Sequence, residues 1–366
     1  MPLGTGTDTM HNVPAVPFTP SPSLFDQLTT KNHQHAITFA TPGPGATVLR
    51  ELPKAGILTW VTVTFDGTLT YNAGTGSITT GWRWPYGICQ SVGFAANLQN
   101  GLVNASGIDL HVQRFLSNPS YVDAVDTFNG SVGGGNALTG SSTSFLHLTY
   151  QVPVVMDKVT LAGAIYAQSN QNALTLAITE AVVADYLTLT GNATASLTGT
   201  WTIGPDIYEI PQTADQGIIT PDLSRLHALQ ARETAFSAVG DVPVALTQVN
   251  GQLVRLLVQV RPNATSWCAP RPASLTPALT NLRLIYGANQ TPLDYTYAEL
   301  VAKNNEQYGG TLPYGYVALD FVRESAVRDA VFLPGLTDLK VVPTVGSGVT
   351  VDANAKVRVV QEMLFQ

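Results

Sequence analysis

Hydrophobic and polar residues alternate along many short stretches of the chain, which is the pattern of a strand with one buried face. In the stretch FLHLTYQVP, Leu146, Leu148 and Tyr150 fall on one side, and polar residues fall on the other. Pro153 then removes a backbone donor and ends the pairing. Similar patterns predict further strands at 59–65, 107–115, 173–183, 195–203, 251–262, 279–287, 314–322, 336–345 and 355–365.

Two segments between these strands predict helices. Residues 157–168, DKVTLAGAIYAQ, are short and mildly apolar, and they predict a short helix that connects two strands. Residues 294–310 predict a longer helix, with Leu300 and Val301 on its apolar face and Gly309 as its stop.

Proline-rich segments divide the chain, whose 366 residues exceed the usual size of one core. Pro14, Pro17, Pro20 and Pro22 predict an extended arm over 1–34. Three more prolines and little periodicity predict a boundary in 204–225. We therefore expect a first jelly roll at 35–206, a linker at 207–225 and a second jelly roll at 226–366. The predicted fold is all-β, with two tandem jelly-roll β-sandwiches and short helices in the connections.

Two long connections interrupt this pattern, at 116–144 and at 288–312. The first contains NGSVGGGNALTGSSTS and has little periodicity. Long connections inside a compact domain are usually functional. We expect both to project from the sandwiches or to lie between subunits.

The composition narrows the class of partner. Charged residues make up 12% of the chain, about half the usual share, and hydrophobic residues make up 45%. The net charge is −7 and the first 34 residues contain one basic side chain, Lys31. Binding to phosphates needs clustered Lys and Arg, so we expect no direct contact with nucleic acid. No apolar run of 18 residues and no secretory signal is recognised, which predicts synthesis in the cytoplasm.

Motifs that carry chemistry are weak in this sequence. Gly133, Gly134 and Gly135 lack the lysine of a phosphate loop. His33 and His35 have a spacing that could hold a metal on a strand, but an incidental polar pair is favoured. No Gly-x-Ser-x-Gly nucleophile motif occurs. We predict no catalytic, cofactor-binding or metal-binding residues, and no small-molecule substrate or cofactor.

Acidic, cysteine and aromatic residues leave three further alternatives. The acidic residues that a glycosidase-like pair could use are Asp109, Asp123, Asp126 and Glu180, but an ordinary surface role is favoured for each. Cys89 and Cys268 are either bonded to each other or, as favoured here, two buried thiols. The aromatic residues that could line a sugar platform are Trp60, Trp82, Trp84, Trp201 and Tyr86, but core or interface positions are favoured.

Residues 148–178, LTYQVPVVMDKVTLAGAIYAQSNQNALTLAI, resemble a segment of tectivirus major coat proteins. The shared features are an aromatic-x-Val-Pro strand end at Tyr150, an acidic residue at Asp157, a Leu-x-Gly-Ala turn at 161–164 and a Gln/Asn-rich link before the next strand. The later TLPYGYVALDF, 311–321, is similar in placement to a strand of that family's second domain.

The resemblance implies a capsid protein of an icosahedral, membrane-containing bacteriophage. In that family two jelly rolls form each chain, and homotrimers of pseudo-hexagonal outline tile the shell over an internal membrane. The implied partners are further copies, penton or vertex proteins, minor capsid proteins and the membrane near the shell base. The implied location is the virion. The alternatives are a carbohydrate-binding or hydrolytic β-sandwich protein, and a viral receptor-binding spike or fibre.

Overall fold

The computed structural model describes residues 29–33, 37–96, 99–117, 135–156, 160–168, 173–210, 212–213, 217–218, 221, 223–247, 250–263, 278–287, 290–322 and 329–365. The strands of the N-terminal part are β1 (Lys31–His33), β2 (Ile37–Ala40), β3 (Thr47–Glu51), β4 (Ile57–Asn72), β5 (Ser77–Thr80), β6 (Cys89–Ala96), β7 (Gln99–Ala105), β8 (Ala137–Leu138), β9 (Ser141–Pro153), β10 (Ile165–Tyr166), β11 (Leu174–Glu180), β12 (Leu187–Thr190), β13 (Thr194–Tyr208), β14 (Gln212–Thr213) and β15 (Gly217–Ile218).

The strands of the C-terminal part are β16 (Leu226–Ala235), β17 (Gly240–Asp241), β18 (Val244–Ala245), β19 (Gly251–Arg261), β20 (Leu279–Tyr286), β21 (Gln290–Thr296), β22 (Tyr316–Asp320), β23 (Val331–Phe332), β24 (Lys340–Val345) and β25 (Lys356–Phe365). The helices are α1 (Gly107–Ser117), α2 (Val183–Tyr186) and α3 (Tyr297–Tyr308), with 3-10 turns at Tyr86–Ile88 and Pro313–Gly315.

The N-terminal sandwich consists of two sheets that enclose one core. One sheet has the order β2–β13–β4–β9, with β1 and β10 extending it, and the other has the order β3–β11–β6–β7. Residues from both sheets, such as Phe65, Trp201, Phe94 and Leu176, belong to one buried cluster. This interleaving of early and late strands in two facing sheets is the jelly-roll arrangement.

The C-terminal sandwich repeats this arrangement. Strands β16–β25–β19–β22 form one sheet, and β17–β24–β20–β21, with β18 beside β24, form the other. Their facing sides share a second buried cluster that includes Val258, Val359, Leu282 and Val341. The prediction of two tandem jelly-roll sandwiches is therefore confirmed.

A short parallel pairing joins the two sandwiches. Val103 pairs with Leu229, and Asn104 pairs with Gln230, so that β7 and β16 become neighbours. The result is a nine-stranded sheet that runs through both sandwiches. In the C-terminal half of this sheet, one face packs on the core of the C-terminal sandwich. Helix α1 of the N-terminal sandwich packs on the other face.

The alternation of the sequence explains the central strand β4. Val61, Val63 and Phe65 are fully buried, whereas Thr62 and Thr64 face outward and are partly exposed. Phe65 packs against Trp201 with ring centroids 4.8 Å apart. Burial of a side chain such as Phe65 stabilises the fold by about 2–3 kcal/mol. Strand β4 therefore fixes which face of the sheet is the core.

Two predictions of local structure are wrong. Residues 107–115 form helix α1 and no strand. Ile108, Leu110 and Val112 alternate as in a strand, but Ile108, Val112 and Leu116 also recur at helical spacing, and eight of the eleven residues of α1 are buried. Residues 160–168 form turns and β10 instead of a helix, since Leu161 and Gly163 have φ of 53° and 97°, which a right-handed helix excludes. Residues 157–159 of that prediction lie outside the described residues.

The prediction of a helix near 294–310 is confirmed by α3. Thr296 and Glu299 form a reciprocal capping box at its start, and Gly309, with φ of 71°, ends it in the left-handed region. Over the described parts of the chain, none of the helices combines the length and the apolar character needed to cross a membrane.

Candidate functional site at the junction of the sandwiches

The junction is formed by α1 and the outer face of the sheet β16–β25–β19–β22. The cross-strand pairs of the sheet place a row of apolar residues in the middle of this face: Ala231, Val360, Leu257 and Ala318. On either side of this row lie charged and polar residues. They form two clusters, which we name after Asp109 and Glu362.

The Asp109 cluster connects α1 to the C-terminal sandwich. Asp109 is fully buried, and its Oδ1 accepts from Arg358 Nε at 2.9 Å and from the Tyr316 hydroxyl at 2.6 Å. Arg358 Nη2 and the Ser106 side chain bind Oδ2. Burial alone would raise the pKa of Asp109, but the guanidinium and these hydrogen bonds hold it below its usual value. Asp109 is therefore an ionised, fully paired carboxylate.

Glu233 extends this cluster toward the solvent. Its Oε1 accepts from Arg358 Nη1 and from Arg261 Nη2, each at 2.9 Å, and its Oε2 accepts from Lys356 Nζ at 3.2 Å. Burial opposes ionisation of Glu233, but the nearby guanidinium groups lower its pKa. Arg358 thus bridges two carboxylates, one from each sandwich.

The Glu362 cluster lies on the opposite side of the apolar row. Glu362 Oε2 accepts from Gln113 Nε2 of α1 at 2.8 Å and from Arg255 Nη1 at 3.1 Å, and its Oε1 is 3.0 Å from His227 Nε2. His227 Nδ1 lies 3.3 Å from the carbonyl oxygen of Pro153 in the N-terminal sandwich. Burial opposes ionisation of Glu362, but Arg255 and His227 lower its pKa to about 2.

Arg255 links this cluster to helix α3. Its Nε donates to Asp320 Oδ2 at 3.0 Å, and the same oxygen accepts from the Tyr308 hydroxyl at 2.5 Å and from Gln307 Nε2 at 3.1 Å. Asn304 of α3 also pairs through its amide with both backbone groups of Ala318, at 2.8 Å each. The side chain therefore occupies hydrogen-bonding positions at the edge of β22, which protects that edge from pairing with another strand.

The segment GWRWPYG, 81–87, lies at the junction and does not form a sugar platform. Trp84 and Tyr86 are buried, and Tyr86 stacks on His111 with centroids 3.9 Å apart. The Tyr314 hydroxyl donates to the Trp84 carbonyl at 3.0 Å. Trp82 lies beneath the guanidinium of Arg261, 4.2 Å from its ring centroid.

Burial also removes the other tryptophans proposed for a sugar platform, because Trp60 and Trp201 lie in the core. The sugar-platform alternative is therefore wrong for these rings. Trp82, Trp84 and Tyr86 instead contact Arg261 and Tyr314 of the C-terminal sandwich.

The remaining sequence candidates do not converge on one site. His33 Nδ1 lies 2.5 Å from Asp206 Oδ1, and His35 lies outside the described residues. Glu180 is buried at the end of β11, where burial raises its pKa, so the surface role favoured for Glu180 and for the buried Asp109 is wrong. Cys89 is a buried thiol whose pKa burial raises. The candidates outside the described residues are Asp123, Asp126, Gly133, Gly134 and Cys268. In the part of the chain that the structure describes, His, Cys, Asp and Glu form no group that could hold a metal.

The charged groups of the junction pair with one another and form a structural contact between the two sandwiches. The carboxylates of Asp109, Glu233 and Glu362 each have two or more donors, and the arginines between them are directed to those carboxylates. Sequence reasoning named Asp109 only as a possible acid of a glycosidase-like pair, and it missed Glu233 and Glu362. A signal was present in GQLVRLLVQVR and KVRVVQEMLF, where charged residues share a strand face with Leu257 and Val360. Such a mixed face indicates a strand covered on both sides.

Two eight-stranded jelly rolls in one chain, joined through one continuous sheet, define the double jelly-roll fold. The fold is that of viral major capsid proteins. A chain in the atomic structure of Sulfolobus turreted icosahedral virus matches with a TM-score of 0.67 and 15% identity, covering 92% of this chain and 91% of that one. The PBCV-1 virus capsid matches with a TM-score of 0.54 and 12% identity, covering 92% and 95%.

The major capsid protein P2 from bacteriophage PM2 matches with a TM-score of 0.51 and 12% identity, covering 92% of this chain and 97% of that one. No protein-family model matches the chain. No curated protein matches it either. At these identities the likeness establishes the fold, and it extends over nearly the whole length of both chains.

Proposed function

We propose that the protein is the major capsid protein of an icosahedral virus. The observation that carries the proposal is the double jelly-roll fold, which covers nine-tenths of the chain and of the capsid proteins it resembles. The junction supports it, because paired charges and stacked rings hold the two sandwiches in one orientation, as a repeating shell unit requires. A structural and non-enzymatic role follows from this proposal.

The proposed unit is a homotrimer of pseudo-hexagonal outline, whose six sandwiches surround one axis. We further propose that residues 1–34 form an arm, 35–206 and 226–366 form the two jelly rolls, and 207–225 connect them. The trimers tile a shell over an internal membrane, and the shell base faces that membrane. Vertex and minor capsid proteins complete the shell of a bacteriophage assembled in the host cytoplasm.

Native mass spectrometry of the purified protein tests the trimer. The expected mass is three times 38.8 kDa, and it persists on dilution to micromolar concentration. Electron microscopy of virus particles tests the capsid role, because a major capsid protein accounts for most of the shell. A stable monomer, or a protein present in a few copies per particle, would contradict the proposal. The second outcome would favour the spike or fibre alternative.

A further inference from the structure

The two sandwiches have equivalent parts, and this equivalence identifies a surface. The sheet β2–β13–β4–β9 of the N-terminal sandwich corresponds in strand order to β16–β25–β19–β22 of the C-terminal sandwich. In each sandwich, one helix of more than ten residues comes before the edge strand of this sheet, which is β9 or β22. Helix α1 precedes β9, and helix α3 precedes β22. The outer faces of the two sheets are therefore equivalent, and so are the two helices.

Within one chain, one of these outer faces is covered. Helix α1 lies on the outer face of β16–β25–β19–β22, through Asp109 and Gln113. Val360 and Leu257, in the middle of that face, are 1% exposed and belong to the core cluster of the N-terminal sandwich. A helix of one sandwich thus covers the sheet of the next.

Helix α1 does not cover the equivalent outer face of the N-terminal sandwich, and among the described residues this face is largely exposed. Cross-strand pairing of β13, β4 and β9 places hydroxyl-bearing residues in successive rows, and most of them are partly or fully exposed. The residues of this face, which we name the threonine face, are Thr38, Thr64, Thr68, Thr70, Thr143, Thr149, Thr198, Thr200, Thr202, Ser141, Ser196 and Phe145. Phe145 lies opposite Thr68 and is 75% exposed.

The threonine face favours an uncharged partner. Its ionisable pair, Asp66 and His147, is already joined through Oδ1 and Nδ1 on neighbouring strands. A charged partner would lose its solvation on this face without gaining a counter-charge. A large exposed aromatic side chain on an otherwise small-residue surface is typical of an anchor at a protein interface.

Helix α3 carries a matching surface. Its buried side is formed by Tyr297, Leu300, Asn304 and Tyr308. Ala298, Ala302 and Asn305 are exposed on another side, spaced as neighbours on one uncharged helical face. The exposed charged residues Glu299, Lys303 and Glu306 lie beside this face, where they can stay in contact with solvent. Twelve residues of helix are about 18 Å long, and four strands at about 4.8 Å are about 19 Å wide. Helix α3 is therefore long enough to cross the threonine face.

We propose that the threonine face is covered by helix α3 from a second copy of this chain. This inference rests on the proposed homotrimer and specifies its contact. The contact repeats between chains the arrangement that α1 makes within one chain. Because it joins two different surfaces, it is heterologous, and rotation by one third of a turn closes it into a ring.

Disulfide trapping tests the contact directly. In a Cys268→Ser background, the double variant Thr198→Cys/Ala302→Cys places one thiol on each surface. Mild oxidation is expected to give covalent dimers and trimers on a non-reducing gel, which disappear on reduction. The matched control, Leu49→Cys/Ala302→Cys, uses an exposed residue of the opposite sheet and is expected to stay monomeric on the gel.

The outcomes separate this inference from the proposed function. A wild-type protein that is monomeric in native mass spectrometry removes both. A trimeric wild type whose Thr198/Ala302 pair gives no cross-link, or no more than the Leu49 control, overturns the contact and leaves the trimer standing.

A second variant tests the anchor without cross-linking. Phe145→Asp is expected to weaken association at least about tenfold in sedimentation equilibrium, since an anchor residue dominates such contacts. Phe332→Asp, at a side chain that is 62% exposed in the C-terminal sandwich, is the control and is expected to leave association unchanged. Circular dichroism and thermal unfolding verify that both variants fold. Equal association of the two variants contradicts the proposed role of Phe145.

Discussion

Helices α1 and α3 occupy equivalent places in the two sandwiches but have different surroundings. Helix α1 buries eight of its eleven residues, including Asp109, His111 and Gln113. Helix α3 buries four of its twelve residues and exposes the rest wholly or in part. The difference shows that a neighbouring sandwich increases the number of buried residues in a helix. Where the neighbour belongs to the same chain, polar groups are buried and must be paired, whereas α3 still has a side open to a partner.

The largest expected effect comes from removing the charge that binds α1 at the junction. Arg358→Ala leaves the buried carboxylate of Asp109 and the half-buried carboxylate of Glu233 without their shared partner. Breaking a buried ion pair in this way costs about 3–5 kcal/mol. We expect a large fall in the urea midpoint for unfolding, followed by intrinsic fluorescence.

Arg283→Ala is the matched control, because Arg283 pairs with the half-exposed Asp241. An exposed ion pair contributes about 0–1 kcal/mol. Equal midpoints for the two variants would show that the junction contributes no more than a surface pair.

Acid is expected to weaken the junction more than it weakens the start of α3. The pKa of Glu362 is about 2 in the folded protein, against about 4.3 in an unfolded chain. Between these values the unfolded chain binds more protons, so the contribution of Glu362 is fully present above about pH 4.3 and is lost as the pH falls toward 2. Two pKa units correspond to about 3 kcal/mol.

Urea unfolding of wild type and Glu362→Gln at pH 6 and pH 3 measures this dependence. The variant is expected to lose less stability between the two pH values than the wild type. Glu299→Gln, on the exposed start of α3, serves as the comparison and is expected to lose less of the wild-type response than Glu362→Gln, because its pKa is lowered by hydrogen bonds to Thr296 without an arginine partner. An unchanged acid response in Glu362→Gln would exclude Glu362 as its source.

The smallest expected effect is the difference in stability lost when the N-terminal cap of α1 or of α3 is removed. Ser106 accepts from Asp109 N at 3.3 Å and donates to its carboxylate at 2.8 Å, and Thr296 makes the same two bonds with Glu299. Loss of such a cap costs about 0.5–2 kcal/mol. We expect Ser106→Ala to lie at the upper end, because it removes a donor from a buried carboxylate, and Thr296→Ala at the lower end. Thermal unfolding of both variants measures the difference, and the reverse order would contradict it.

The same comparison explains what the sequence could reveal. Helix α3 was predictable, since Leu300 and Val301 form one apolar face and Gly309 stops the helix. Helix α1 was not predictable, because buried residues lie on several of its sides. In addition, Ile108, Leu110 and Val112 alternate along the chain like the buried residues of a strand. Its start was marked by Ser106 and Asp109, three residues apart, which is a capping signal. The strands were predictable wherever one face meets solvent.

The junction depends on contacts between distant parts of the chain. Asp109 and Arg358 are 249 residues apart, as are Gln113 and Glu362. Neither local propensity nor periodicity determines which carboxylate a given arginine meets. The resemblance at 148–178 implied the double jelly roll, but the pairing of β7 with β16 and the burial of Trp84 and Tyr86 depend on how the sandwiches dock.

The position of strand β25 has a consequence for biosynthesis. Residues 356–365 follow β16 and β19 in the chain but lie between them in the sheet. A ribosome therefore exposes β16 and β19 well before the strand that separates them exists. Until then their open edges must remain apart, and pairing them with each other would exclude the strand that carries Arg358 and Glu362. Correct closure of the C-terminal sandwich is thus a late event, and it favours slow growth of the chain or a chaperone that shields those edges.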